Sequence, residues 1–148
     1  MDKDWWRVYR EEAGQVFAGE LVTQQPNCYG VRRVEFQPRY RNSGASAIAL
    51  AVHFGAQRVI LMGYDCQKTG GRAHWHGDHP KELGNAGSLD KWPAQFAKLA
   101  RDFRNFDIMN CTRETALTCF PRVPLERALN DDANGSDLAV GRESGVCA

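Results

Sequence analysis

The 148-residue sequence lacks the features that mark several broad classes of protein. With 19 basic and 18 acidic residues, the formal net charge is only +1. Proteins that coat nucleic acid or bind anionic membranes need a larger excess of positive charge. The chain also has no secretory signal and no apolar run near the roughly 20 residues of a membrane-spanning helix. We therefore expect a cytoplasmic protein with no membrane partner and no direct nucleic-acid partner.

Paired cysteines are also lacking, because the five cysteines are odd in number and none shows a metal-binding spacing such as C-x-x-C. This usage is typical of a reducing compartment, where a single cysteine is usually a small core residue. No internal repeat is present. The hydrophobic content of 43% and charged content of 25% are those of a globular protein. We expect one α/β domain over residues 1–129 and a flexible, disordered tail over residues 130–148.

The most informative stretch is residues 42–65, where a small-residue loop is followed by an apolar helix, an apolar strand and a polar loop. Ser43 is placed to cap the helix, and Gly44 would let a ligand approach the backbone N–H groups at the helix N-terminus. The almost wholly apolar residues 45–54 favour a helix packed flat against a sheet. Gly55 is placed to end that helix in a left-handed conformation.

The continuous apolar run at residues 59–62 is typical of a central parallel strand covered on both faces. A preceding strand around residues 34–36 would lead into the loop at residues 42–44. In open α/β sheets, ligands bind at the edge where the carboxyl ends of the strands meet. The sequence therefore predicts that the loop at residues 63–65 lies beside the loop at residues 42–44 and that the two frame one site.

Hydrophobic periodicity and breaker residues predict the remaining elements. These are a helix from Asp4 to about Phe17, a short strand at Gly19–Thr23, a strand at Val31–Gln37, a helix beginning at Ser88 or Asp90 and reaching Phe103, a strand at Phe106–Asn110, a weaker antiparallel edge strand at Thr115–Phe120 and a short helix at Pro124–Leu129. The expected architecture is a short, mostly parallel sheet flanked by helices.

Four arginines, Arg32, Arg33, Arg39 and Arg41, come shortly before the small-residue loop. They are either a solvated strand edge or a local positive charge that attracts a phosphorylated ligand, and the sequence leaves both interpretations open.

A long polar stretch at residues 66–87 carries His74, His76, Asp78 and His79. This spacing matches the metal-binding signature of the metallo-β-lactamase superfamily, whose ligands hold zinc ions that activate water. The match lacks the apolar strand that precedes the signature in that family, and no histidine follows His79. The alternatives are a metal-dependent hydrolase, a single metal site, a loop whose histidines contact phosphate or transfer protons, and a solvated polar loop. No metal or other cofactor is assigned.

The pattern of residues 42–44, Gly55-Ala56 and residues 59–65 resembles a Rossmann-like nucleotide-binding superfamily. That superfamily includes bacterial CMP-sialic-acid-dependent sialyltransferases and archaeal-type 6-hydroxymethylpterin diphosphokinases. With Trp5-Trp6 and residues 74–80 included, the chain is most similar to small phage or prophage proteins of the superfamily. The resemblance implies that Ser43 and Gly44 contact a nucleotide's phosphate or base, with Gly63 and Asp65 near its ribose or sugar. It also implies the host cytoplasm as location, if the protein is phage-encoded.

Members of that superfamily usually begin with a strand and a glycine-rich phosphate loop, whereas this chain starts at what corresponds to the helix after them. We therefore expect half of the usual site to be missing. The chain would then be a shortened form that completes its site by self-association, a pure nucleotide binder, or a fragment. An exposed sheet edge and a face carrying Trp5 and Trp6 favour a homo-oligomer.

The function expected from these observations is binding of a nucleotide or nucleotide-derived small molecule at the carboxyl edge of the sheet. In the enzymatic version, a nucleotide-sugar-dependent transferase, Asp65 orients the sugar and a histidine acts as general base. In the alternative, a phage protein sequesters a nucleotide signal without catalysis. The catalytic candidates are Asp65, His76 and His79, and the ligand-binding candidates are Arg39, Arg41, Asn42, Ser43, Gly44, Gly63, Tyr64, Asp65, His74 and Trp75.

Overall fold

A computed structural model of the chain describes residues 3–74, 76–80, 83–85 and 87–130. The elements in chain order are α1 (Lys3–Val16), β1 (Val22–Thr23), β2 (Arg32–Arg33), α2 (Ser43–His53), β3 (Arg58–Leu61), a 3₁₀ turn (Leu89–Lys91), α3 (Trp92–Asp102), β4 (Asp107–Asn110) and α4 (Leu125–Asn130). Within the described residues, β1 pairs with β2 and β3 with β4, both in parallel, as two separate sheets. The fold thus combines helices with two small parallel sheets.

The central helix α2 begins one residue earlier than a Ser43 cap would allow. The Asn42 side chain accepts the Ala45 N–H at 3.1 Å, and Ser43 is already the first helical residue. The predicted Ser43 cap is therefore wrong, since the amide side chain before it takes that role. The predicted end is confirmed: Gly55 has a φ of 93°, and its N–H donates to the Val52 carbonyl at 2.9 Å.

The apolar run after α2 forms β3, which lies beside β4 with Arg58 opposite Asp107 and Leu61 opposite Asn110. The expectation of a fully covered central strand is wrong for the described residues, in which β3 pairs with β4 alone. Only Leu61 of β3 is buried, and the next residue, Met62, is 59% exposed. One face of β3 packs on the core while the rest is half-covered.

The chain before α2 differs most from expectation. The predicted strands at residues 19–23 and 31–37 shorten to β1 and β2, which pair with each other rather than with β3. Val34 and Phe36 are nevertheless buried and pack with Ala49 of α2. The apolar residues of this segment therefore contribute to the core by contact with a helix, without extending the β3–β4 sheet.

The end of the described chain also departs from the predicted edge strand. Residues 115–120 form no strand, although Leu117 and Phe120 are buried in the main core. The buried members of that core are Ala45, Ile48, Leu61, Cys66, Phe96, Leu99, Ile108, Leu117 and Phe120. Asn130 ends α4, and residues 131–148, most of the predicted tail, lie outside the described residues.

No helix in the described ranges combines the length and the apolar character that crossing a membrane requires.

Candidate functional site

A cleft of about 500 Å³ lies where the start of α2, the loop after β3 and the segment leading into α3 come together. This volume is within the range of small-molecule binding pockets. Its lining residues are Arg41, Asn42, Ser43, Gly44, Gly63, Tyr64, Asp65, Cys66, His74, His79, Gly84, Asn85, Ser88, Trp92 and Phe96. The two loops expected to frame one site, residues 42–44 and 63–65, therefore do line one cleft.

The start of α2 supplies hydrogen-bond donors to the cleft. Because Asn42 occupies the Ala45 N–H, the N–H groups of Ser43 and Gly44 are the ones that no described residue accepts. These two groups carry the positive end of the helix dipole, which favours an anion. Arg41 adds a cationic side chain to the same wall.

Arg39 is not part of this wall: both arginines are exposed, but only Arg41 is among the lining residues of the cleft. The residue between the two arginines, Tyr40, anchors the segment. Its hydroxyl donates to the Asp102 carboxylate at 2.7 Å, and its carbonyl accepts the Ser46 hydroxyl at 3.1 Å. These contacts tie the approach to α2 to the end of α3.

The loop after β3 is held by hydroxyl groups that follow β4. The Tyr64 N–H donates to Thr112 Oγ1 at 3.0 Å, and Thr115 Oγ1 donates to the Tyr64 carbonyl at 2.6 Å. Gly63 turns the chain with a φ of 73°, which favours glycine. The half-buried Asp65 carboxylate accepts the Thr69 hydroxyl at 2.9 Å. Asp65 is thus held in place in the cleft wall.

Close packing joins the two loops. The Tyr64 hydroxyl donates to the Gly44 carbonyl at 3.3 Å, and the Tyr64 ring meets the Phe96 ring edge-on at 5.7 Å. A Cβ on Gly44 would lie 3.0 Å from Tyr64 Cε1 and 3.3 Å from Phe96 Cζ. A side chain at Gly44 would therefore press on the protein's own aromatic rings, a packing role that the sequence did not indicate. Burial, and secondarily Cys66, raises the pKa of Tyr64 and keeps its hydroxyl a donor.

The polar loop at residues 66–87 lines one side of the cleft through His74 and His79. The rings of His74 and His79 stack with centroids 4.4 Å apart, and His76 stacks 5.2 Å from each. Asp78 is exposed and does not belong to this group. Trp75, a predicted ligand-binding residue, lies outside the described residues.

Two histidines of this loop have constrained surroundings. His74 Nε2 is buried with no hydrogen-bond partner among the described residues. Burial, with His79 and His76 adding to it, lowers the pKa of His74 and favours the neutral ring. His79 is anchored, because its ring Nδ1 lies 3.0 Å from the Gly84 carbonyl and its backbone N–H donates to Asn85 Oδ1 at 2.8 Å.

Cys66 lines the cleft but is not arranged as a nucleophile. Burial above all, with smaller contributions from the neighbouring Asp65 and Cys119, raises the pKa of its thiol to about 11. A thiol with so high a pKa stays protonated at neutral pH and is unreactive. This agrees with the expected role of the cysteines as small core residues.

The sequence missed the wall formed by the start of α3. There the Trp92 indole N–H donates to Ser88 Oγ at 3.2 Å, and Phe96 closes the floor beneath the two loops. The helix was predicted, but its apolar stripe indicated only a core contact. Because the helix and α2 are far apart in the chain, no local pattern could place them on one cleft.

A second, larger opening of about 830 Å³ shares Gly63 and Asp65 with the first. Its basic lining residues are Arg113 and Arg122. The Arg122 guanidinium is already engaged, since it donates to the carbonyls of Thr112 and Arg113 at 2.6 and 3.0 Å. Most of the predicted catalytic and ligand-binding residues line the first cleft, and the described exceptions are Arg39 and His76.

Comparison of the chain with known protein families, with curated proteins and with solved structures finds no match.

Proposed function

We propose that this protein binds a nucleotide or nucleotide-derived small molecule in the cleft, within a Rossmann-like arrangement of α2 and the β3–β4 sheet. The observation that carries the proposal is the convergence of two groups of unlike chemistry. Ser43 and Gly44 contribute backbone N–H donors to the same lining as Arg41, and Asp65 adds a carboxylate acceptor to that lining. A nucleotide needs both, because its phosphates are anionic acceptors and its ribose carries hydroxyl donors.

The aromatic lining supports the same proposal. Trp92, Tyr64 and Phe96 give the cleft apolar surface beside its polar groups. Small-molecule sites typically combine mostly apolar walls with a few placed polar groups. A base or sugar ring would occupy the aromatic part while a phosphate lies at the start of α2.

The enzymatic version of the proposal is a nucleotide-sugar-dependent transferase. His79 is the better-placed general base, since it lines the cleft and its Nδ1 is held by Gly84, whereas His76 is exposed and lies outside the lining. Asp65 would orient the sugar. The non-enzymatic version uses the same cleft to sequester a nucleotide, and the two differ in whether the ligand is returned unchanged.

Paired arginine variants test the proposal by calorimetry with a panel of nucleoside mono- and diphosphates and CMP-sialic acid. We expect Arg41→Ala to weaken binding about tenfold or more, the usual cost of losing a hydrogen bond to a charged group. Arg39→Ala is the matched control and should leave the affinity unchanged. Native mass spectrometry of the purified protein would show any co-purified ligand, and release of free CMP from CMP-sialic acid would identify a transferase.

Two outcomes would contradict the proposal. One is that no member of the panel binds and no ligand co-purifies. The other is that Arg41→Ala and Arg39→Ala weaken binding equally, since the arginines would then act through general surface charge rather than through the cleft.

A further inference from the structure

Three imidazole rings lie close together on the loop between β3 and α3. One ligand nitrogen from each of His74, His76 and His79 can be chosen so that all three lie within 4.8 Å of one another. In a tetrahedral zinc site, Zn–N bonds of about 2.0–2.1 Å put ligand nitrogens about 3.3 Å apart. The three nitrogens are therefore near enough for one ion, which the rings would reach by rotating out of their stacked arrangement.

The second observation is a nitrogen that lacks a partner. His74 Nε2 is buried, and no described residue donates to it or accepts from it. A buried polar atom without a hydrogen bond is costly, and an unplaced ligand or ion is a common explanation. The anchoring of His79 points the same way. Its Nδ1 lies 3.0 Å from the Gly84 carbonyl, as metal-ligating histidines usually have their second nitrogen held by a carbonyl or carboxylate.

We propose that His74, His76 and His79 form a binding site for one divalent transition-metal ion of the Zn²⁺ class at the wall of the cleft. Neutral imidazoles suit Zn²⁺, Cu²⁺ and Ni²⁺, whereas Mg²⁺ and Ca²⁺ require oxygen ligands, and this group contains no carboxylate. Three protein ligands leave a fourth position for water or a ligand oxygen. Since His74 and His79 line the cleft, the ion would lie at its wall.

The site does not depend on the proposed nucleotide binding, but a metal-bound His79 has no free lone pair and would not act as the general base of the enzymatic version. Metal binding is therefore measured without nucleotide. Titration of the full reduced chain with Zn²⁺ alone is expected to give one ion per chain. His76→Gln and His74→Gln should each weaken Zn²⁺ binding at least about tenfold, because loss of a second-shell partner alone typically costs that much. The matched control is His53→Gln, which removes the one histidine of the chain outside the cluster.

Co²⁺ substitution identifies the ligands by a second readout. Histidine ligation predicts visible d–d absorption without the intense thiolate charge-transfer band that cysteine ligands would produce. Circular dichroism and melting curves of the metal-free variants show whether each substitution leaves the fold intact. The proposal is overturned if Zn²⁺ does not bind, if a thiolate band appears, or if folded His76→Gln and His74→Gln bind Zn²⁺ as well as His53→Gln does.

Discussion

At the scale of single residues, Gly44 and Ser43 line the cleft as predicted but have structural roles that differ from the predicted ones. Gly44 was expected to leave space for a ligand, but that space is bounded by the Tyr64 and Phe96 rings. Ser43 was expected to cap α2, but Asn42 does so. In both cases a neighbour decides the role. Ser43 keeps its hydroxyl and its N–H available to the cleft.

The packing role of Gly44 is testable by a single methyl group. Gly44→Ala should lower the free energy of unfolding by about 1–3 kcal/mol, the usual cost of overpacking. The control is Gly14→Ala in α1, where an added Cβ meets nothing within 4 Å. That substitution should raise stability by up to about 1 kcal/mol, because alanine is the better helix former. Urea denaturation measures both, and equal stability of Gly44→Ala and wild type would show that the rings move aside freely.

At the scale of elements, the loops after β3 and β4 are joined by side-chain hydroxyls and by a backbone hydrogen bond from the Ala116 N–H to the Asp65 carbonyl at 2.8 Å, rather than by strand pairing. Thr112 is 4% exposed and accepts the Tyr64 N–H, while Thr115 donates to the Tyr64 carbonyl. The position of Tyr64, and with it one wall of the cleft, therefore depends on residues that come after the second strand.

Removing the Thr112 hydroxyl tests this junction. Thr112→Val keeps the shape but leaves the Tyr64 N–H without its acceptor, which should cost about 1–3 kcal/mol of unfolding free energy. Thr118→Val is the matched control at an exposed position and should change stability by less than about 0.5 kcal/mol. Thr112→Ser, which restores the hydroxyl, should recover part of the loss. If Thr112→Val and Thr118→Val lower the free energy of unfolding by similar amounts in chemical denaturation, the Thr112 hydroxyl does not stabilise the contact between the two loops.

At the scale of the whole molecule, the prediction that Trp5 and Trp6 lie on an exposed interaction face is wrong for Trp6. Trp6 is 2% exposed, and its indole N–H donates to Thr23 Oγ1 at 3.2 Å, so it holds α1 against β1. Trp5 is half-buried and meets Trp6 edge-on at 5.0 Å. Replacing both tryptophans would therefore disturb the fold and could not report on assembly alone.

Self-association stays a prediction, and the surface expected to mediate it is the open edge of the β3–β4 sheet. Within the described residues each sheet has two strands, and Met62 at the end of β3 is 59% exposed. Open strand edges invite pairing between chains. We expect sedimentation velocity at micromolar concentration to show a homo-oligomer that Met62→Lys weakens. Val16→Lys, at a 78% exposed position of α1, is the control. A wild-type monomer would contradict the prediction.

The elements with strong local signals were predictable, for a physical reason. The signals in question are the apolar run at residues 59–62, Gly55 after α2 and Pro93 in the first turn of α3, and each acts between residues that are close in the chain. As a result, α2, β3, α3 and β4 lie within a residue or two of their predicted bounds. The candidate site was predictable only in part. The loops at residues 42–44 and 63–65 do line one cleft, but residues 42–44 follow no strand of the β3–β4 sheet. The two loops are brought together by the core that Ala45 and Ile48 of α2 share with Leu61 of β3.

The remaining features depend on contacts between distant residues. Tyr64 and Thr112 are 48 positions apart, and no local sequence pattern indicates that they are in contact. The same holds for the pairing of β2 with β1 rather than β3, and for Phe96 beneath Gly44. Local sequence sets the propensity of each segment, but packing of all segments together sets which strands pair and which side chains face the cleft.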